Sequence, residues 1–88
     1  MATTYFIRTT LPLSDAHRAI FADRHREGTG NQLSVLNNGA GTECLVKVTC
    51  DRVTGDIVPL DLTPIDVIEG VEAARVLLAD PLWTAPPL

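Results

Sequence analysis

With 88 residues, of which 45% are hydrophobic and 20% are charged, the chain suits one globular domain and is too hydrophobic for a disordered tail. A domain of this length buries only about 60–65% of the surface that its unfolded chain exposes, which disfavours a deep private active-site cavity. The net charge of −4 is concentrated in residues 43–88, where eight carboxylates outnumber three basic residues, and this predicts poor direct binding to nucleic acids, whose phosphates are held by Lys and Arg.

The sequence also carries no pattern that directs it to a membrane. No uninterrupted apolar run approaches the roughly 20 residues that cross a bilayer, and Met1–Thr4 lacks the basic start of a signal peptide. We therefore expect a cytoplasmic protein that does not act at a membrane.

The first predicted elements are a strand and a helix. Tyr5–Thr10 is rich in aromatic and β-branched residues, and Pro12 follows its end. Ser14 is a typical N-cap for a helix that runs to about Glu27, where Gly28 supplies a stop. The apolar stripe predicted for this helix consists of Leu13, Ala16, Ile20 and Phe21, with His17 and Arg24 inside it.

A β-hairpin is predicted next. Leu33–Leu36 reads as a short strand, and the Asn- and Gly-rich turn Asn37–Thr42 leads back into the strand Cys44–Cys50. The side chains of Cys44–Cys50 alternate strictly, which predicts a half-buried strand with both cysteines on its inner face. At about 3.3 Å per residue the two thiols lie roughly 20 Å apart, too far for a disulfide, so we expect two reduced core cysteines.

In the second half of the chain, the sequence predicts one more strand and a helix. Ile57–Leu62 reads as the third strand of a meander, and Pro59 within it indicates a sheet edge. Thr63 as N-cap and Pro64 at the first helical position predict a helix from Thr63 to Ala79. Gly70 would then lie inside this helix, where we interpret it as permitting close packing on the sheet.

These elements predict an α+β fold in the order β-α-β-β-β-α. The expected sheet is a single antiparallel layer, a three-stranded meander plus an N-terminal strand, with both helices packed on one face. Residues 1–80 form the single predicted domain, and residues 81–88 form a Pro-rich C-terminal tail.

The residues that carry chemistry do not assemble into a recognisable motif. His17 and His25 are eight residues apart on the predicted helix, too far along its axis to share a metal ion. The glycine pairs Gly28/Gly30 and Gly39/Gly41 lack the strand-to-helix context of a phosphate-binding loop. The sequence therefore predicts no catalytic residue, no cofactor and no metal ion.

The leading hypothesis is a non-enzymatic interaction module, a small acidic adaptor or inhibitor that binds another protein with a basic surface. The composition suits a protein encoded by a phage or mobile element and directed at a nucleic-acid-handling machine. An acidic helix face and the apolar tail are the expected contact regions, since charge steers association and tryptophan is favoured at binding hot spots. The candidate binding residues are Asp66, Glu69, Glu72, Leu82, Trp83 and Leu88.

Two other hypotheses stay open at this point. One is a small homo-oligomeric enzyme with a site between subunits, for which His17, Arg24 and Tyr5 are the candidates. The other is a structural subunit of a larger assembly such as a phage particle, paired through the edge strands Tyr5–Thr10 or Ile57–Leu62. A homodimer is compatible with each of them, and Trp83 can dock on its own domain, on a second copy or on a partner.

Overall fold

The fold was taken from a computed structural model, which describes residues 2–79 and residue 83. Four strands and two helices follow in the order β-α-β-β-β-α, which confirms the predicted α+β class. A short 3₁₀ helix, Thr54–Asp56, lies between the third and fourth strands. The elements are β1 (Thr3–Thr10), α1 (Asp15–Thr29), β2 (Ser34–Asn37), β3 (Glu43–Cys50), β4 (Asp66–Glu69) and α2 (Val71–Leu78).

The strands form one antiparallel sheet in the order β2-β3-β1-β4. The N-terminal strand β1 is therefore central, and the prediction that Tyr5–Thr10 forms a sheet edge was wrong. Its three consecutive residues Tyr5, Phe6 and Ile7 are all buried, which requires that both faces of the strand be covered.

The two helices cover opposite faces of the sheet, which corrects the expectation that both pack on one face. Phe21 of α1 belongs to the larger core cluster, which also contains Ile7 of β1 and Val46 of β3. Ala74 of α2 instead packs with Phe6 and Leu45, on the other side of the same two strands. The physical reason is that β1 and β3 carry apolar side chains at successive positions, so each face of the sheet needs a cover.

The strand β3 contains both cysteines, and both are buried and free, as predicted. Leu45, which alternation assigns to the solvent face, is also fully buried because the smaller core cluster covers that face. Only Lys47 in the middle of the strand is exposed. The strand is thus buried on both faces over its first half rather than half-buried throughout.

Helix α1 approaches β3 closely at its C-terminal end. Ser14 caps the helix by accepting the His17 N–H at 3.1 Å, as predicted. The helix continues past Gly28 to Thr29, and Gly30 ends it with a φ of 73°. A Cβ atom on Gly28 would lie 2.6 Å from the Cα of Cys50, so this glycine is required for close packing rather than as a stop.

The segment Ile57–Leu62 is not a strand, which corrects the predicted third meander strand. It belongs to the connection from β3 to β4, which crosses the α1 side of the sheet. Ile57 is fully buried in the larger core cluster and Pro59 is also buried, so the apolar residues of this segment anchor an irregular chain.

The fourth strand is β4, although the sequence predicted that Asp66–Glu69 would be helical. Pairing with β1 overrides the local helix signals, because the Ile65 N–H donates to Arg8 O and the Gly70 N–H donates to Thr4 O, both at 2.7 Å. Gly70 has a φ of 94°, and a Cβ atom at this position would meet no other atom within 4 Å. It therefore turns the chain from β4 into α2 and does not mediate close packing.

Helix α2 is consequently about half as long as predicted, since it begins only at Val71. Among the residues that the structure describes, no helix is long and apolar enough to cross a bilayer. The predicted tail, residues 81–88, lies outside the described residues except for Trp83.

Candidate protein-interaction site

An open groove runs between α1 and the connection that precedes β4. We call it the α1 groove; it encloses about 480 Å³. Ile20 and Arg24 form the helix side. The connection side consists of Gly55, Asp56, Val58, Pro59, Leu60 and Asp61.

Two polar contacts hold the connection against α1. The His17 ring lies with Nε2 at 2.9 Å from Oδ1 of Asp61, and the Arg24 Nε–H donates to the backbone oxygen of Asp56 at 3.2 Å. The hydrogen bond from His17 is the main cause of a lowered pKa of Asp61. The contacts lie at both ends of Ile57–Leu60, so they fix the outer wall of the groove.

The side chain of Leu60 is the most exposed large apolar group in the described part of the chain. Its exposed fraction is 103%, whereas Ile57 in the same segment is fully buried. An apolar side chain that gains nothing from the core of its own domain is available to a partner. Leu60 was missed as a contact residue because Ile57–Leu62 was predicted to be a strand of the sheet, whereas it is an irregular connection.

Residues 56–72, which we call the acidic segment, carry negative charge without any basic residue. Its carboxylates are all exposed in the structure: Asp56, Asp61, Asp66, Glu69 and Glu72. Three exposed apolar residues each precede one of these carboxylates in the chain, namely Leu60, Ile65 and Val71. The segment thus presents apolar and acidic side chains in adjacent pairs.

The candidate residues Asp66 and Glu69 lie on β4, at one free edge of the sheet, and not on a helix face as predicted. The Gly70 N–H donates a hydrogen bond to Thr4 of β1. Since the direction of the backbone groups alternates along a strand, the N–H groups of Val67 and Glu69 point away from β1, to the free edge. The Asp66 carboxylate accepts the Val67 N–H at 2.9 Å, which blocks one of these donors. Carboxylates placed in this way protect an edge from pairing with another strand.

The third acidic candidate, Glu72, lies in the first turn of α2, where a carboxylate interacts favourably with the helix dipole. It forms an exposed ion pair with Arg75, at 2.9 Å between Oε1 and Nη2. The structure therefore distributes the three acidic candidates over a strand and a helix that follow directly in the chain.

Of the apolar tail candidates, only Trp83 lies within the described residues. It is half-buried and packs against the cluster of Phe6, Leu45 and Ala74. Leu82 and Leu88 lie outside the described residues, and their role stays a prediction.

The three residues proposed for an enzyme site between subunits have different surroundings in the structure. His17 and Arg24 both contact the connection that forms the α1 groove, whereas Tyr5 is buried and donates its hydroxyl to the backbone oxygen of Arg52 at 2.8 Å. The described residues contain no group of three or more His, Cys, Asp or Glu side chains that could hold a metal ion.

Comparisons with protein families, with curated proteins and with solved structures found no match for this chain. No family is assigned to it, and its fold and surface provide the grounds for a functional proposal.

Proposed function

We propose that this protein is a non-enzymatic interaction module, an adaptor or inhibitor that binds another protein through its acidic segment. The observation that carries the proposal is the pairing of exposed apolar residues with exposed carboxylates along residues 60–72. Three of the five exposed large apolar residues that the structure describes lie in this region, which has no positive charge. This combination fits a partner with apolar residues surrounded by Lys and Arg.

The two kinds of side chain contribute different terms to binding. Burying an exposed Leu60 against a partner removes apolar surface from water and contributes about 1.5–3 kcal/mol when burial is complete. The carboxylates accelerate the encounter with a basic surface and disfavour acidic partners. Their effect on the association rate and on specificity is larger than their effect on affinity. Binding is therefore expected to weaken as salt concentration rises.

Proteins that handle nucleic acids carry the kind of basic surface that this segment complements. An acidic protein that covers such a surface competes with the nucleic acid for it. This supports the more specific proposal of an inhibitor or adaptor directed at a nucleic-acid-handling protein in the cytoplasm, encoded by a phage or mobile element.

The experiment is affinity capture from an extract of the source organism with three immobilised proteins. The first is the natural chain, and the second carries Leu60→Ser, Asp66→Asn and Glu69→Gln. The third is a matched control with the same kinds of substitution away from the acidic segment: Val76→Ser, Asp15→Asn and Asp23→Asn, all at exposed positions. Asn at position 66 retains an oxygen that accepts the Val67 N–H, so the fold is expected to persist.

We expect a stoichiometric partner with the natural chain and with the control, released by raised salt and absent with the triple variant of the acidic segment. Purified partner should then bind the natural chain with an affinity that falls with salt. Loss of the partner in the control alone, or equal capture by all three proteins, would show that the acidic segment is not the binding surface.

A further inference from the structure

We infer that the free edge of β2 pairs with the same strand of a second copy, so that the protein forms a symmetric homodimer with a continuous sheet. This inference goes beyond the proposed function, because β2 and the acidic strand β4 lie at opposite edges of the sheet. The dimer would leave both acidic segments accessible.

The first observation is that β2 has unpaired backbone groups along its outer side. The backbone oxygen of Thr4 in β1 points to β4. Since the direction of the backbone groups alternates along a strand, those of Ile7 point the other way, to β3, where they pair with those of Val46. Val35 is opposite Val46 on the other side of β3 and is therefore turned outward, and alternation turns Asn37 outward as well. The N–H and C=O groups of both residues point to the free edge.

The second observation is that the side chains of β2 itself offer this edge neither a charge nor a proline. Strand β2 contains no proline and no charged residue, whereas β4 carries Asp66 and Glu69 and blocks the Val67 N–H with a carboxylate. Natural sheets protect free edges with charges, prolines or bulges, since an unprotected edge is a template for another strand. The protection of one edge and not of the other indicates that the β2 edge is covered in the assembled protein.

The charge distribution selects a second copy as the occupant. Residues 28–42, which include β2 and the turns on both sides of it, contain no Asp, Glu, Lys, Arg or His. A second copy carries the same excess of carboxylates in residues 43–88, so contact through that half of the chain brings like charges together. Around β2 no like charges meet, whereas β4 against its own copy would bring carboxylates together.

A two-fold axis at Leu36 gives a register that satisfies the outward groups. Val35 of one copy then lies opposite Asn37 of the other, and the two such pairs exchange about four backbone hydrogen bonds. Leu36 meets its own equivalent on the side of the sheet that contains Phe6 and Leu45, where it is half-buried in the single chain. Isologous contacts of this kind are the commonest route to a homodimer.

The test compares proline substitutions at the two edges by sedimentation equilibrium of the full chain over a wide range of concentration. Asn37→Pro removes an outward N–H without breaking a bond inside the chain, and Glu69→Pro does the same on β4. We expect the natural chain and Glu69→Pro to dimerise, and Asn37→Pro to raise the dissociation constant by about tenfold or more.

Two further measurements keep the inference testable if a proline variant fails to fold. Ser34→Lys places a charge at an exposed position of β2 and should also weaken the dimer. In the natural chain, hydrogen exchange at the amides of Val35 and Asn37 should slow as concentration rises. A monomer at all concentrations, or a dimer whose dissociation constant is unchanged by both β2 substitutions, would overturn the inference whatever the effect of Glu69→Pro.

Discussion

The imidazole of His25 in α1 accepts a hydrogen bond from the backbone N–H of Thr49 in β3, at 3.1 Å between Nδ1 and N. Strand β2 begins at Ser34, opposite Lys47, so Thr49 lies just beyond the end of the β2–β3 ladder. The ring therefore replaces a strand as the partner of this N–H group. Since Nδ1 accepts, the folded protein requires the neutral ring with its proton on Nε2.

This contact predicts that the protein is less stable in mild acid. Burial, followed by the nearby charge of Lys47, lowers the pKa of His25, while hydrogen bonding to the Gln32 backbone acts in the opposite direction. The unfolded chain then binds the proton more readily than the folded chain, so stability is complete above the ordinary value of about 6.5 and falls as pH decreases below it. Urea unfolding at pH values of about 7.5 and 5.5 measures the difference.

His25→Gln is the control for this pH dependence. The variant should be less stable than the natural chain at neutral pH, because the Thr49 N–H loses a well-placed acceptor. Its free energy of unfolding should change less between the two pH values than that of the natural chain. An unchanged pH dependence in the variant would assign the effect to another group.

Gly28 is predicted to be intolerant of substitution. Gly28→Ala places a Cβ against the backbone of Thr49 and Cys50, so the overlap cannot be relieved by moving a flexible side chain. Overpacking of this kind outweighs the gain in helix propensity, and we expect a loss of at least about 2 kcal/mol in the free energy of unfolding. Gly55→Ala is the control, since nothing lies within 4 Å of its Cβ, and it should change stability little.

Thr9→Val should stabilise the protein. Thr9 is 1% exposed, and its Oγ1 has no hydrogen-bond partner among the described residues. Valine has nearly the same shape and removes a buried polar group without a partner, so we expect a gain of about 1 kcal/mol. Thr4→Val provides the contrast, because Thr4 Oγ1 and Thr49 Oγ1 form a hydrogen bond of 2.9 Å and that substitution should be destabilising.

The thiols of Cys44 and Cys50 should react slowly in the native protein. Both are at most 1% exposed, and burial raises the pKa of the Cys44 thiol, which decreases the reactive thiolate. Modification by a thiol reagent should follow the opening of the fold and accelerate with urea. Rapid stoichiometric labelling without urea would contradict the burial of β3.

The acidic segment shows which features of this surface local sequence patterns predict. The carboxylates Asp66, Glu69 and Glu72 were predicted to be exposed, and they are exposed. Their placement on one helix was wrong, because Thr63 and Pro64 are strong local helix signals and pairing with β1 is not visible in a local window. Leu60 was missed for the same reason, since its exposure depends on the path of an irregular connection.

Local sequence patterns predicted β1, α1, the hairpin from β2 to β3, the Ser14 cap and the burial of both cysteines. These features depend on side-chain periodicity and turn chemistry within short stretches of chain. Local patterns did not reveal that β1 is central, that the helices lie on opposite faces or that Gly28 rather than Gly70 is the point of close packing. Those outcomes depend on which distant strands share hydrogen bonds, and that pairing free energy is a property of the whole sheet rather than of any one segment.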